Sequence, residues 1–392
     1  MPDPMPSTAA SGRRYLDNAA TSWPKPPEVW AASEQAARTN GAAAGRAAYR
    51  EAVVADGIRD RCRVAAAAVL GASDPARLAL PGGATLALNM AIHGLVSPGD
   101  HVIATAADHN ATLRPLHWLE SRGVIDCSIV PCDAAGAVDP AAIARAWRPA
   151  TRLVVCSHAS NVTGTVQDAA AIAAIAHDRD GILLLDASQS LGQIPGAGVA
   201  SGADVVVAPS HKWLLGPVGL GLLWARPGID LDPILQGGTG TASDSLAMPE
   251  TFTDALEPGM PDLPALAGLA AALDWLDRES IDAVGRGARS LAATAADGLR
   301  AIRGVRVLGA EAVGVGAPIV SFTVEGYDPA EVATVLEQTA GVQVRSGFHC
   351  AACIHEHLGT REGGTVRASF GPFNTRSDVE MLVEMVERLA TG

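Results

Sequence analysis

From about residue 75 to residue 225 the sequence alternates short apolar runs with longer alanine-rich stretches, and no other feature constrains the fold as strongly. The runs predict strands over Arg77–Leu80, His101–Ala104, Cys127–Pro131, Leu153–Ser157, Ile182–Asp186, Val205–Ala208 and Gly219–Trp224. Several lack polar alternation, as expected of strands buried on both faces of a mainly parallel sheet. Between them, "ATLALNMAIHGLV" and "DAAAIAAIAHDR" have helical length and spacing. This alternation predicts an α/β fold. The last two strands, joined by a short glycine-flanked connection, leave room for an antiparallel member.

The remainder of the chain reads differently. "LQGGTGTASDS" predicts a loop, and "LPALAGLAAALDWLDRES" a long helix that links two domains. Beyond it, "VRVLGA", "PIVSFTV", "VQVRSG" and "TVRASF" alternate with the helical segments "DPAEVATVLEQT" and "RSDVEMLVEMVERLATG", a smaller α+β pattern. A chain of 392 residues exceeds what one core usually serves. The expected organisation is a loose tail over 1–14, a large domain over 15–260 and a small domain over 261–392.

Charge and composition exclude several partners. A net charge of −13 argues against nucleic acid or an anionic membrane surface. No apolar run approaches the roughly 20 residues of a membrane span, and the proline-rich start has no signal-peptide core. Six cysteines in so long a chain form no disulfide framework; Cys127, Cys132 and Cys156 lie in or beside apolar runs, where a free thiol packs as a small hydrophobe. The expected location is the reducing cytoplasm.

The chain has only two lysines, Lys25 and Lys212, among 29 lysine and arginine residues. Unlike arginine, a buried lysine loses its proton readily and acts as a nucleophile. Lys212 follows the strand "VVVAPSHK", with Ser210 and His211 beside it. Other polar residues fall at neighbouring strand ends: Asp186 and Gln189 in "LLLDASQS", His158 and Asn161 in "SHASN", Asp108 and His109 in "AADHN". "LPGGATLALN" places Ala84 and Thr85 at a helix start after a glycine turn, a ready phosphate site. In open α/β sheets ligands bind at such strand ends. A phosphate site, an aspartate for a pyridine nitrogen and a lysine for an aldehyde together match pyridoxal 5'-phosphate. Taken singly, each residue reads equally well as a cap or turn residue.

"YLDNAATSWPKPPEV", "GGATLALN", "ADHNATLRPL", "SHASNVTGT", "LLLDASQSLG", "SHKWLLGPVGLG", "VRSGFHCA" and "VRASFGPFNT" run in this order along nearly the whole chain. The sequence thereby resembles class V aminotransferase-fold enzymes, most closely cysteine desulfurases of the group that includes selenocysteine lyases. The resemblance implies fold type I of the pyridoxal-phosphate enzymes (aspartate aminotransferase-like), with a mainly parallel large domain and a smaller α+β domain. It implies that Lys212 holds the cofactor aldehyde, that Asp186 pairs with the ring nitrogen, and that Gln189 and Asn161 contact the ring. His109 would stack on the ring and act as acid or base at the departing thiol. Ala84, Thr85, His211 and Ser210 would hold the phosphate. Arg367 would bind the substrate carboxylate, with Asn161 and Arg345 nearby. Cys350 would take sulfur from L-cysteine as a persulfide, release L-alanine and pass the sulfur to an acceptor protein or thiol. A homodimer is also implied.

Parts of the pattern depart from the family. Pro209 stands where relatives carry a serine or threonine, and a proline has no hydroxyl to offer; Ser210 is the expected substitute. Met260 stands where relatives carry a threonine that reaches a neighbouring subunit's phosphate, a task Thr239 or Thr241 would then take over. His349 and Arg345 flank Cys350 and would favour its thiolate. Cys353 lies outside the pattern; a Cys350–Cys353 disulfide or a persulfide relay are its open roles. A selenocysteine lyase or other carbon–sulfur lyase of the same fold remains an alternative. So do a non-catalytic sulfur-relay scaffold and a zinc module built on His349, Cys350, Cys353, His355 and His357, although no metal site is expected.

Overall fold

The computed structural model describes residues 12–45, 47–309 and 313–391. Most of the expected N-terminal tail lies outside them, but Arg14 already begins a strand. In chain order, β1 (Arg14–Tyr15) precedes α1 (Pro27–Thr39) and α2 (Arg50–Leu70). Strands and helices then alternate through β2 (Leu78–Ala79), α3 (Ala84–Leu95), β3 (His101–Thr105), α4 (Asn110–Ser121) and β4 (Asp126–Val130). The alternation continues through α5 (Pro140–Ala146), β5 (Thr151–Ser157), α6 (Ala169–His177), β6 (Ile182–Asp186), β7 (Val205–Pro209) and β8 (Gly221–Ala225).

These strands form a seven-stranded sheet in the order β2-β8-β7-β6-β5-β3-β4. Strands β3 to β7 are mutually parallel, and β8 runs antiparallel to both β2 and β7. The antiparallel member is therefore β8. All five residues of β6 and of β7 are buried, because helices cover both faces. Leu183, Leu185 and Val206 face a layer that contains Ile58 of α2 and Ile172 of α6. Their neighbours Ile182, Leu184 and Val205 face Leu88 of α3 and Leu116 of α4. Alternate side chains of one strand thus enter opposite apolar layers, which explains the unbroken hydrophobicity of those runs.

Beyond the sheet lie α7 (Phe252–Leu256), α8 (Leu263–Glu279) and α9 (Ile281–Arg300). Helix α8 starts where Asp262 accepts a hydrogen bond from the Ala265 amide at 3.0 Å. Its Leu266, Leu269 and Leu273 join the apolar layer on the α2 side of the large sheet. The last elements are β9 (Val305–Leu308), β10 (Ile319–Val324), α10 (Pro329–Ala340), β11 (Val342–Gln343), β12 (Arg345–Gly347), α11 (Ile354–His357), β13 (Thr365–Ser369) and α12 (Arg376–Thr391). Strands β12-β13-β10-β9 make a fully antiparallel sheet around a separate core that includes Phe322, Leu336, Val366 and Leu382. The stretch "VQVRSG" is not one strand. It breaks at Val344: β11 pairs in parallel with β1, and β12 joins the four-stranded sheet.

Candidate active site

A cavity of about 370 Å³ opens at the carboxyl ends of β5, β6 and β7. Among the side chains expected to form a site, Ala84, Thr85, His109, Asn161, Asp186, Gln189, His211, Lys212, Arg345 and Arg367 all line it. Pro209, Ser157, Ser188 and His349 line it as well. Adjacent parallel strands bring these ends side by side, so the polar residues that terminate them converge.

Asp186 ends β6 and is buried; its Oδ1 accepts a hydrogen bond from the Ser188 amide at 2.9 Å. Among the described residues, the Lys212 amine has no hydrogen-bond partner. Burial pulls its pKa down to about 8, against the opposing pull of Asp186. A lysine so placed has an available lone pair near neutral pH. His109 caps α4, its Nδ1 accepting from the Ala111 amide at 3.0 Å, which places the proton of the neutral ring on Nε2. Burial and the nearby Lys212 push its pKa down to about 4, so it is neutral at physiological pH.

The N-terminus of α3 lines one end of the cavity. Gly83 has a φ of 120°, open to glycine and unfavourable for other residues, and offers no side-chain cap to the first turn. The amides of the first turn are therefore left for a ligand. Gly221 makes room for that turn: a β-carbon there would lie 2.6 Å from the Gly83 carbonyl carbon and 2.9 Å from the Ala84 nitrogen. His211 Nδ1 and Ser157 Oγ are buried without a partner among the described residues. Orphaned polar atoms, an uncapped helix start, a lysine of lowered pKa and a buried aspartate fit pyridoxal phosphate.

Gln189 spends both ends of its amide on the protein, donating to the Ala19 carbonyl at 3.0 Å and accepting from the Trp213 indole at 2.8 Å. It lines the cavity as a fixed wall. Asn161 donates to the His349 carbonyl at 2.7 Å and so ties the cavity to the cysteine loop.

Ser210 does not replace the missing hydroxyl. Its side chain is fully buried, points away from the cavity lining, and donates to the Pro217 carbonyl within its own loop. Asp108 and His158 also stay outside the lining. Asp108 accepts from the Thr105 amide at 2.7 Å and from the Ser157 amide, while His158 Nδ1 meets Ser190 Oγ at 2.9 Å. Both are turn-holding residues.

Cys350 sits on an exposed turn in which His349 and Cys350 have φ values of 50° and 57°. It borders a second, open groove that shares Thr85, His109 and Ala111 with the main cavity. Arg345 points a guanidinium nitrogen at its sulfur across 3.6 Å. His349 offers no such charge: burial, then Arg367 and Arg345, hold its pKa well below the ordinary histidine value. Of the two expected thiolate partners, only the arginine is cationic. Cys353 packs against the apolar layers on both faces of the large sheet, and burial raises its thiol pKa, which suits it poorly to relay sulfur. All six cysteines are free thiols. Among the described residues, no group of three histidine, cysteine or acidic side chains converges as a metal would require. His355 is bonded to Thr360 and to the Phe348 carbonyl. A zinc module is not favoured.

The aminotransferase class-V family model matches residues 14–382. A probable cysteine desulfurase from Methanothermobacter thermautotrophicus is 35% identical over 383 residues, covering 96% of this chain and 94% of that protein. Cysteine desulfurase CsdA from Escherichia coli is 30% identical, covering 95% of this chain and 93% of that protein. Among solved structures, the apo cysteine desulfurase from Thermococcus onnurineus NA1 superposes with a TM-score of 0.91 at 28% identity, covering 98% of this chain and 96% of that one. With the mainly parallel sheet and its strand-end cavity, these matches mean that the chain belongs to the class-V aminotransferase family and has its type I pyridoxal-phosphate fold.

Proposed function

We propose that the protein is a pyridoxal-phosphate-dependent cysteine desulfurase that converts L-cysteine to L-alanine and passes the sulfur through Cys350 to an acceptor. The observation that carries this reading is the sharing of Thr85, His109 and Ala111 between the Lys212–Asp186 cavity and the groove beside Cys350. A substrate held in the cavity can thus present its side chain to the thiol. The names of the relatives support the same reading.

In this reading Lys212 holds the cofactor aldehyde, Asp186 faces the ring nitrogen, and Ala84, Thr85 and His211 receive the phosphate. When bound, the cofactor supplies an electron sink for the substrate's α-carbon. Lys212, with its lowered pKa, moves the α-proton. Arg367 receives the carboxylate with its planar fork. The Cys350 thiolate forms a sulfur–sulfur bond while the substrate's Cβ–sulfur bond breaks. The bonding pair stays with the carbon skeleton, which takes up a proton and leaves as alanine. His109 carries a proton on Nε2 at the junction of the two spaces and is placed to exchange it with the substrate thiol. The persulfide sulfur then passes to an acceptor thiol.

A cytoplasmic homodimer completes the proposal, supported by six free thiols and by the exposed Val218 at the cavity wall. The division of the chain proposed with it is a cofactor-binding part over 15–260, against which α8 packs, and a smaller part to residue 392 that carries the Cys350 loop. Replacing Cys350 with serine tests the reaction: alanine and sulfide release from L-cysteine should be lost while L-cysteine still perturbs the cofactor spectrum. Undiminished turnover would favour a selenocysteine lyase or another carbon–sulfur lyase.

A further inference from the structure

Arg367 is central to β13, flanked by β12 and β10, and its side chain is 1% exposed. Its Nη1 donates to the Asn161 carbonyl at 2.9 Å and its Nη2 to Asp17 Oδ1 at 2.8 Å. Its Nε is buried and has no partner among the described residues. Arg367 lines the cavity, whereas Asp17 lines a separate outer groove with Tyr15, Gln343 and Ser346. The carboxylate therefore grips the guanidinium from the side away from the cavity.

Asp17 is itself well fixed. It bridges to Ser369 of β13, and the Tyr15 hydroxyl donates to its carbonyl at 3.1 Å. The adjacent Leu16 amide donates to the Gln343 carbonyl at 2.8 Å. We propose that Asp17 is a positioning residue for substrate recognition: with the Asn161 carbonyl, it fixes the plane of the Arg367 guanidinium so that the remaining N–H groups meet the substrate carboxylate. This rests on the reading of Arg367 given above. A fork with two of its donors already tied has little rotation left to lose on binding, and a misplaced one costs up to about a hundredfold. Because Asp17 also competes electrostatically with the substrate, orientation and charge make opposite predictions for an asparagine at this position.

The test compares Asp17→Ala, Asp17→Asn and Arg367→Ala as holoproteins. KM and kcat are measured with L-cysteine, and absorbance titrations use L-alanine and ethylamine, which lacks the carboxylate. Asp17→Ala should raise KM and the L-alanine Kd about tenfold, leave kcat within about twofold and leave ethylamine binding unchanged. Asp17→Asn keeps an acceptor oxygen and should restore KM to within about threefold of the parent. Should Asp17→Ala not fold, Asp17→Ser carries the same comparison, since its oxygen falls short of Nη2. An unchanged KM in Asp17→Ala, equal weakening of ethylamine, or an asparagine variant as impaired as the alanine one overturns the proposal. Arg367→Ala separates the two levels. If it keeps the preference for alanine over ethylamine, the carboxylate reading itself fails. If it loses that preference while Asp17→Ala keeps it, only the part given to Asp17 fails.

Discussion

Arg345 and Arg367 stand directly opposite each other across the β12–β13 ladder. Like charges in such a pair repel, and here each has a different partner although both line the cavity. Arg367 is buried against Asp17, while Arg345 lies within 3.6 Å of the Cys350 sulfur.

This geometry places the Arg345 guanidinium beside the Cys350 sulfur. Arg345→Gln should slow alkylation of Cys350 by iodoacetamide at neutral pH. A half-exposed contact of this kind is worth about 1 kcal/mol or less, so the expected slowing is up to about fivefold. Mass spectrometry of the peptide that contains Cys350 follows the rate. An unchanged rate would remove Arg345 from the account of this thiol's reactivity, and Arg345→Lys should retain part of the effect.

Buried neutral histidines make the fold acid-sensitive. Burial pushes His158 down to about 4, well below the ordinary histidine value. The unfolded chain then binds a proton that the folded chain refuses, so this stability is fully present above about pH 6.5 and is lost as pH falls toward 4. Between pH 7 and pH 5 His158 alone should cost about 2 kcal/mol. His158→Gln removes the titration and leaves a side chain able to bond Ser190. Denaturant midpoints of the variant should fall less between those pH values than those of the parent. Because His158 does not line the cavity, cofactor binding does not confuse the comparison.

Much of this arrangement is legible in the sequence, and the gaps have physical causes. Strands β3 and β5 to β8 show as apolar runs because nearly all of their residues are buried, whereas β4, at the sheet edge, leaves Ile129 half exposed. β1 is only two residues long and exists through its pairing with β11, which no local pattern announces. The break at Val344 is equally invisible, since the two halves of "VQVRSG" serve different partners. At strand ends the sequence shows that polar residues gather, but not which of them face inward. Ser210, Asp108 and His158 resemble Asp186 on paper, yet each bonds within nearby turns and loops and stays out of the cavity lining. Gln189 reaches the cavity with its amide already committed. His349 illustrates the converse. Its place beside Cys350 suggested a charge, and only its burial shows that it is neutral. The opposition of Arg345 and Arg367 depends on a strand register set across the intervening residues 346–366, with Gly364 packed against Gly347 where the ladder begins.

The start of α3 offers the most local test of the cofactor site. Gly221 pairs with Pro209 at the end of the β7–β8 ladder, and its missing side chain leaves room for the Gly83–Ala84 peptide. A β-carbon at 221 would come within 2.6 to 2.9 Å of three backbone atoms of that peptide, none of which can swing aside as a side chain would. The Gly221 backbone is not in the left-handed region, so alanine brings no intrinsic strain and acts only through this contact. Overpacking of this kind costs about 1–3 kcal/mol. The cost falls on the turn that presents the α3 amides. Gly221→Ala should therefore raise the Kd for pyridoxal phosphate by about tenfold or more while keeping most of the thermal stability of the apoprotein. Fluorescence titration of the apoprotein with the cofactor measures the first, and calorimetry the second. Unaltered cofactor affinity in a folded variant would mean that the phosphate is held without the α3 turn, and the placement of Ala84 and Thr85 at the phosphate would have to be abandoned.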